Sequence, residues 1–207
     1  MNPLPFLLFV LLPAGLIQAQ TPSDFDAPPA AHYRAIPIQL TALVSKAAPA
    51  NERNLLANGN FEHGTRGWEL IAFGKKGKMA IDTKELFEGK PTLRIDNVEG
   101  DHSFVRQIVK GKPNTRYRLA GYIKTMNVEP VKGSGMEGAV VMIGMVPDTS
   151  EPLQKTTRWT RVSVDFTPKD PNEIRVGPSL GTYARPVTGT AWFFDITLTE
   201  LGKDGKR

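Results

Sequence analysis

Short runs in which apolar and polar residues alternate, separated by Gly, Pro, Asn and Asp, fill most of the chain from residue 68 onward. This is the pattern of half-buried β-strands joined by turns. In residues 116–124 the alternation puts Tyr117, Leu119, Gly121 and Ile123 on one face. Thr160, Val162, Val164 and Phe166 form a second stripe, with Arg161, Ser163 and Asp165 opposite. Trp192, Phe194, Ile196 and Leu198 form a third, against Phe193, Asp195 and Thr197. Residues 138–146 are a longer apolar run, as expected of a strand buried on both faces. Ile95, Phe104 and Val176 lie in further candidate strands, and no stretch sustains a helical period. About eight to ten strands without helices predict an all-β fold, a two-sheet antiparallel β-sandwich of the jelly-roll kind.

The pattern differs at the N-terminus. The first 20 residues carry no charged side chain and contain the apolar run 6–12. That run is too short to span a bilayer and reads as a signal peptide, residues 1–19, cleaved after Ala19. Residues 20–53 are rich in Pro and Ala and predict an extended linker, with a short edge strand at 36–40. The sandwich itself is expected over 54–201, followed by a basic tail at 202–207. The expected location is secreted or periplasmic, with no membrane attachment after cleavage. There is no Cys, so neither a disulfide nor a lipid-bearing Cys is available, and the domain must rest on its core.

The formal charge of +5 could favour anionic partners. The cations are scattered, apart from Lys75, Lys76, Lys78 and the tail, and no recognition helix or aromatic–basic RNA motif accompanies them. Nucleic acid is therefore not an expected partner. Of the three His, His32 lies in the linker, His63 in the opening turn and His102 before a strand. Neither a G-x-S-x-G nor an H-E-x-x-H motif occurs, and Cys chemistry is impossible. Carboxylates are plentiful, but none stands out as half of a glycosidase pair, so the chain reads as non-enzymatic.

Residues 54–68 (NLLANGNFEHGTRGW) are the most informative stretch. Asn58-Gly59-Asn60 is a turn signal with Gly59 free to take positive φ, and Phe61 is placed to plug a core. Gly64 and Gly67 then bend the chain before Trp68 starts a strand. With residues 189–198 (GTAWFFDITL), the 113–117 turn and the 158–162 strand, this stretch resembles carbohydrate-binding modules of the family 4/9/22 type, a galactose-binding-domain-like jelly roll. The resemblance covers roughly residues 54–200.

It implies an exported, non-catalytic carbohydrate-binding protein that holds a polysaccharide or glycan on a concave sheet face. It also implies a structural calcium, with Glu62 and Asp195 as ligands and backbone carbonyls near Asn60 and residues 88–90 completing the shell. The family often has two adjacent Asp in the last strand, whereas Asp195 stands alone. Trp68 and Trp159 match positions usually packed inside, and Trp192 belongs to an apolar stripe, so all three are assigned to the core. The binding aromatics expected are Phe73, Tyr122 and Tyr183. The polar candidates are Arg161, Arg118, Arg175 and one of Arg106 and Gln107, since alternation lets only one of these two face out. The cationic excess points to an anionic glycan, uronate-bearing or sulfated. The alternative is a jelly roll that docks to an envelope protein, or serves a structural role, without binding sugar.

Overall fold

The computed structural model describes residues 53–132, 137–144, 148–183 and 185–203. The expected signal peptide, nearly all of the linker and the end of the basic tail lie outside the described residues. Nine strands follow one another: β1 (Glu69–Ala72), β2 (Lys78–Phe87), β3 (Lys90–Asp101), β4 (Ser103–Val109), β5 (Thr115–Pro130), β6 (Ala139–Ile143), β7 (Lys155–Phe166), β8 (Ile174–Leu180) and β9 (Val187–Lys203). They build two antiparallel sheets, one of four strands in the order β1-β4-β8-β6 and one of five in the order β2-β3-β9-β5-β7. No helix occurs among the described residues. The expected all-β sandwich is the fold observed.

The alternating stripes supply the core. Tyr117, Leu119 and Ile123 from β5, Val162 and Phe166 from β7, and Leu93 and Ile95 from β3 meet Val105, Val141, Ile143 and Val176 of the other sheet. As expected, β6 is buried on both faces: Ala139, Val141 and Ile143 join the main core, while Val140 and Met142 pack with Phe104 in a second cluster.

The third stripe is broken. On β5, Ala120 and Tyr122 are two residues apart, but their β9 partners, Thr197 and Phe194, are three apart. The extra residue is a β-bulge, with Asp195 at φ 50°. Side chains switch faces across it, so Ala191, Phe193, Ile196 and Leu198 enter the core whereas Trp192 and Phe194 point outward. Trp192 is buried, as expected, but on the outward side of its sheet rather than in the core between the sheets. Trp159 also belongs outside, because strand alternation groups it with Arg161 rather than with Val162. Trp68 is in the core, its Nε1 donating to the Asn58 carbonyl at 3.0 Å.

The opening segment forms no strand, yet it is laced to the last one. Asn54 accepts from the Leu198 amide at 2.9 Å and donates to the Ile196 carbonyl at 3.1 Å. The Leu55 amide reaches the Leu198 carbonyl, and the Ile196 amide reaches the Gly59 carbonyl at 2.9 Å. Asn58 organises the turn by accepting from the His63 amide and donating to the carbonyls of Gly64 and Arg66. Positive φ falls on Asn58 (53°) and Phe61 (58°), not on Gly59 as the sequence suggested. Gly59 is required for another reason: a Cβ there would stand 2.0 Å from the Ile196 carbonyl oxygen. We expect Gly59→Ala to destabilise the fold by roughly 2–3 kcal/mol, read as a lowered melting temperature. An unchanged melting temperature would contradict this docking.

Candidate functional site

A β-sandwich has two outward sheet faces, and here one of them is covered in part by the chain itself. On β2, Asp82 and Phe87 are five positions apart, while their β3 partners Thr92 and Lys90 are two apart. The surplus arches out of the ladder, stitched by the amides of Lys84 and Glu85 to Asp82 and by Thr92 Oγ1 to the Glu85 carbonyl. Phe87 lands on rings of three other strands, with centroids at 4.5 Å from Tyr122, 4.9 Å from Phe194 and 5.1 Å from Trp159. Beside it, Lys124 pairs with Glu85 at 2.8 Å, and the Trp192 indole donates to Asp82 at 2.8 Å. Burial alone would raise the Asp82 carboxyl, but this indole, the amides of Glu85 and Lys84 and the nearby Arg94 hold it down at about 2. Part of the outward face of the five-stranded sheet thus carries an aromatic cluster in which Phe194 and Trp192 are buried and Phe87, Tyr122 and Trp159 half-buried.

The outward face of the four-stranded sheet is indented: Phe104, Val140 and Met142 are buried in it, and a cavity remains beside them. The same face carries Ile71 of β1, Phe104 and Arg106 of β4, Arg175 of β8 and Met142 of β6, and these line that cavity of about 170 Å³ with Phe73, His102, Gly144 and Tyr183. Phe73 is 60% exposed and stacks on the His102 ring at 4.3 Å, nearly parallel at 6°. A second cavity, of about 340 Å³, lies against the first along the shared side chain of Tyr183 and is lined by Glu137, Val140, Thr149, Pro152, Thr182 and Arg185. The Tyr183 hydroxyl donates to the Ile143 carbonyl at 2.7 Å, which fixes the ring between the two cavities.

Phe73 owes its position to a buried carboxylate. Asp101 accepts from the amides of Gly74, Lys76, Gly77 and His102 at 2.6–2.8 Å, so the basic loop folds around it. Burial alone would raise this carboxyl; the four amides outweigh it and hold the group below the usual carboxylate range. Asn97, Ser103 and Ser179 continue the polar network beneath the sheet end.

The sequence candidates divide between the faces. Phe73, Arg106 and Tyr183 gather on the four-stranded face. Tyr122 and Arg161 meet on the five-stranded face, the guanidinium 5.8 Å from the ring. Gln107 points inward and exchanges two hydrogen bonds with the backbone of Ala57, at 3.1 and 2.6 Å, so it serves the fold. Arg118 is held by Asp165 at 2.6 Å. His102, Phe104, Met142 and Glu137 were missed as site residues. Alternation places Phe104 beside Arg106, so that residue was legible; Glu137 reaches the site through a loop, which alternation does not describe.

Glu62 is exposed and accepts from Lys90 at 3.1 Å, while Asp195 is exposed at the bulge of β9. The Gly59–Ile196 hydrogen bond brings their neighbourhoods together. No cluster of three or more His, Asp or Glu converges among the described residues. The donors suit a hard cation in chemistry, although an ammonium already occupies Glu62 and the left-handed backbone is itself a reason for Asp at 195.

No family model matches the chain. It is 27% identical over 162 residues to the tRNA(Glu)-specific nuclease WapA of Bacillus subtilis subsp. natto, which takes in 70% of this chain and 7% of that protein. It is 25% identical over 177 residues to exochitinase 1 of Streptomyces olivaceoviridis, 81% of this chain and 25% of that protein. The chain therefore matches only a small part of these curated relatives. Among solved structures, an arabinose-bound GH51 α-L-arabinofuranosidase aligns with TM-score 0.52 and 14% identity, over 72% of this chain and 26% of that one. A CBM61 module in complex with β-1,4-galactotriose aligns with TM-score 0.49 and 17% identity, over 71% and 98% respectively. At these identities the likeness is one of fold alone.

His102 makes the site sensitive to acid. It is 3% exposed, and burial lowers its imidazole to about 4, against the opposing pull of Asp101. Below about 6.5 an unfolded chain protonates this group while the fold does not, so the unfolded state binds more protons and stability falls with pH. The loss runs from about 6.5 down to about 4 and levels off below. We expect stability to drop by about 2 kcal/mol between pH 7 and pH 5, measured by urea denaturation, and His102→Phe to abolish this part of the slope. An unchanged slope in that variant would contradict the assignment.

Proposed function

We propose that this chain is an exported, non-catalytic carbohydrate-binding protein that holds a neutral polysaccharide or glycan across the outward face of the four-stranded sheet. The observation that carries this reading is the pair of adjoining cavities divided by Tyr183, one beneath the exposed Phe73 ring and the other beside a buried carboxylate. Aromatic rings offer faces on which a pyranose can stack, and the polar groups around them exchange hydrogen bonds with its hydroxyls. Among the described residues, Glu137 is the only carboxylate lining either cavity, one short of the pair that glycoside hydrolysis requires.

The guanidiniums on this face do not favour an anionic ligand. Arg106 is matched by Glu69 at 3.0 Å, Arg175 by Glu173 at 2.5 Å and Arg185 by Glu137. A neutral glycan meets less competition there than a uronate or sulfate would. Affinity that is insensitive to salt supports this choice, and steep weakening with salt restores the anionic alternative.

Titration calorimetry over a panel of neutral polysaccharides tests the site. Phe73→Ala and Tyr183→Ala should each weaken binding about tenfold or more, while Tyr122→Ala leaves it unchanged. Losses confined to Tyr122→Ala would overturn the choice of face. If no glycan binds, docking to an envelope protein through the same apolar face becomes the leading reading. A structural calcium held by Glu62 and Asp195, with Lys90 displaced, is a separate proposal: EDTA should then lower the melting temperature by several degrees, and no shift would remove the idea.

A further inference from the structure

The first cavity combines two properties that seldom occur together. Its floor and walls are apolar, formed by Ile71, Phe104 and Met142 with Phe73 above. Yet two of the side chains that line it carry polar atoms closed off from solvent with no hydrogen-bond partner among the described residues: both ring nitrogens of His102 and Nε of Arg175. Leaving such groups unmatched costs free energy, so they mark a place where something else supplies the partners. A neutral imidazole has one donor and one acceptor, and Arg Nε–H is a second donor. An occupant that reaches them must therefore bring at least one N–H or O–H and an accepting oxygen, on an otherwise apolar group.

We infer that this cavity receives the acetamido group of an N-acetylated sugar. The amide N–H would donate to the unprotonated His102 nitrogen, the amide oxygen would accept from Arg175 Nε–H, and the methyl would rest on Phe104 and Met142. A bare pyranose ring suits the cavity less well, because its several hydroxyls would lose water against an apolar floor. Phe73, mostly exposed and stacked on the imidazole, swings aside to admit the group and then covers it. The neighbouring cavity takes the next sugar, where the second oxygen of Glu137, likewise buried without a partner among the described residues, accepts a hydroxyl.

This inference rests on the glycan-binding reading, and its test is chosen to fail separately. Titration calorimetry of the whole chain is run with two matched pairs: chitotriose against cellotriose, and N-acetylgalactosamine against galactose. We expect at least a tenfold preference for the acetylated member in one pair. Arg175→Met should erase that preference, and Glu137→Gln should weaken both members of the pair alike. The His102 ring-nitrogen resonances should shift on addition of the acetylated sugar only, a readout independent of any variant that folds poorly. Equal binding within both pairs overturns the acetamido assignment while leaving a glycan site in place. Absence of binding by either acetylated sugar overturns it as well, and the polysaccharide panel then decides the wider reading.

Discussion

The lacing of the opening segment to the last strand is the contact on which the sandwich depends. Residues 54–61 contribute no strand, so their backbone groups need partners elsewhere. They find them on β9 through Asn54, Leu55 and Gly59, and on β4 through Gln107. Once the turn is pinned there, Phe61 and Trp68 are delivered to the core with their rings 5.4 Å apart. Phe61 holds a left-handed backbone that a bulky residue seldom adopts, and its burial together with the Asn58 hydrogen bond keeps it there. The first and last parts of the domain are thereby closed on each other without a disulfide.

That closure leaves the two outward faces to be settled by smaller devices. The arch between Asp82 and Phe87 covers part of the five-stranded sheet with a ring cluster tied down by Asp82–Trp192 and Glu85–Lys124. On the four-stranded sheet Phe104, Val140 and Met142 are buried as well, but two cavities remain among the residues around them. There the Asp101 carboxylate folds the loop that presents Phe73, and Tyr183 stands between two cavities. Exposed aromatics and unmatched polar groups are thus gathered on one face, as a binding surface requires.

Much of the fold was legible in the sequence because β-alternation is a strict period of two. Tyr117, Leu119 and Ile123 went where their spacing placed them, and so did Val162 and Phe166. The errors have physical sources. Trp192 is buried on the other side of its sheet because of the Asp195 bulge, since one inserted residue flips every side chain beyond it. Trp159 was assigned by resemblance against its own alternation, and alternation prevailed. Gly59 was read as a conformational need when the need is for close approach to Ile196. Of the site, Phe73, Arg106 and Tyr183 could be found as aromatics and cations near strand ends. What could not be found was which sheet face keeps its cavities, because the arch that covers Tyr122 depends on contacts across three strands.

We place ligand binding on the four-stranded face and not on the aromatic cluster under Phe87. Amide chemical-shift mapping, with a bound glycan titrated into labelled protein, tests it most directly. Perturbations are expected to concentrate at residues 71–73, 102–106, 140–144, 175, 182, 183 and 185. Perturbations centred instead on Phe87, Tyr122, Trp159 and Arg161 would contradict it.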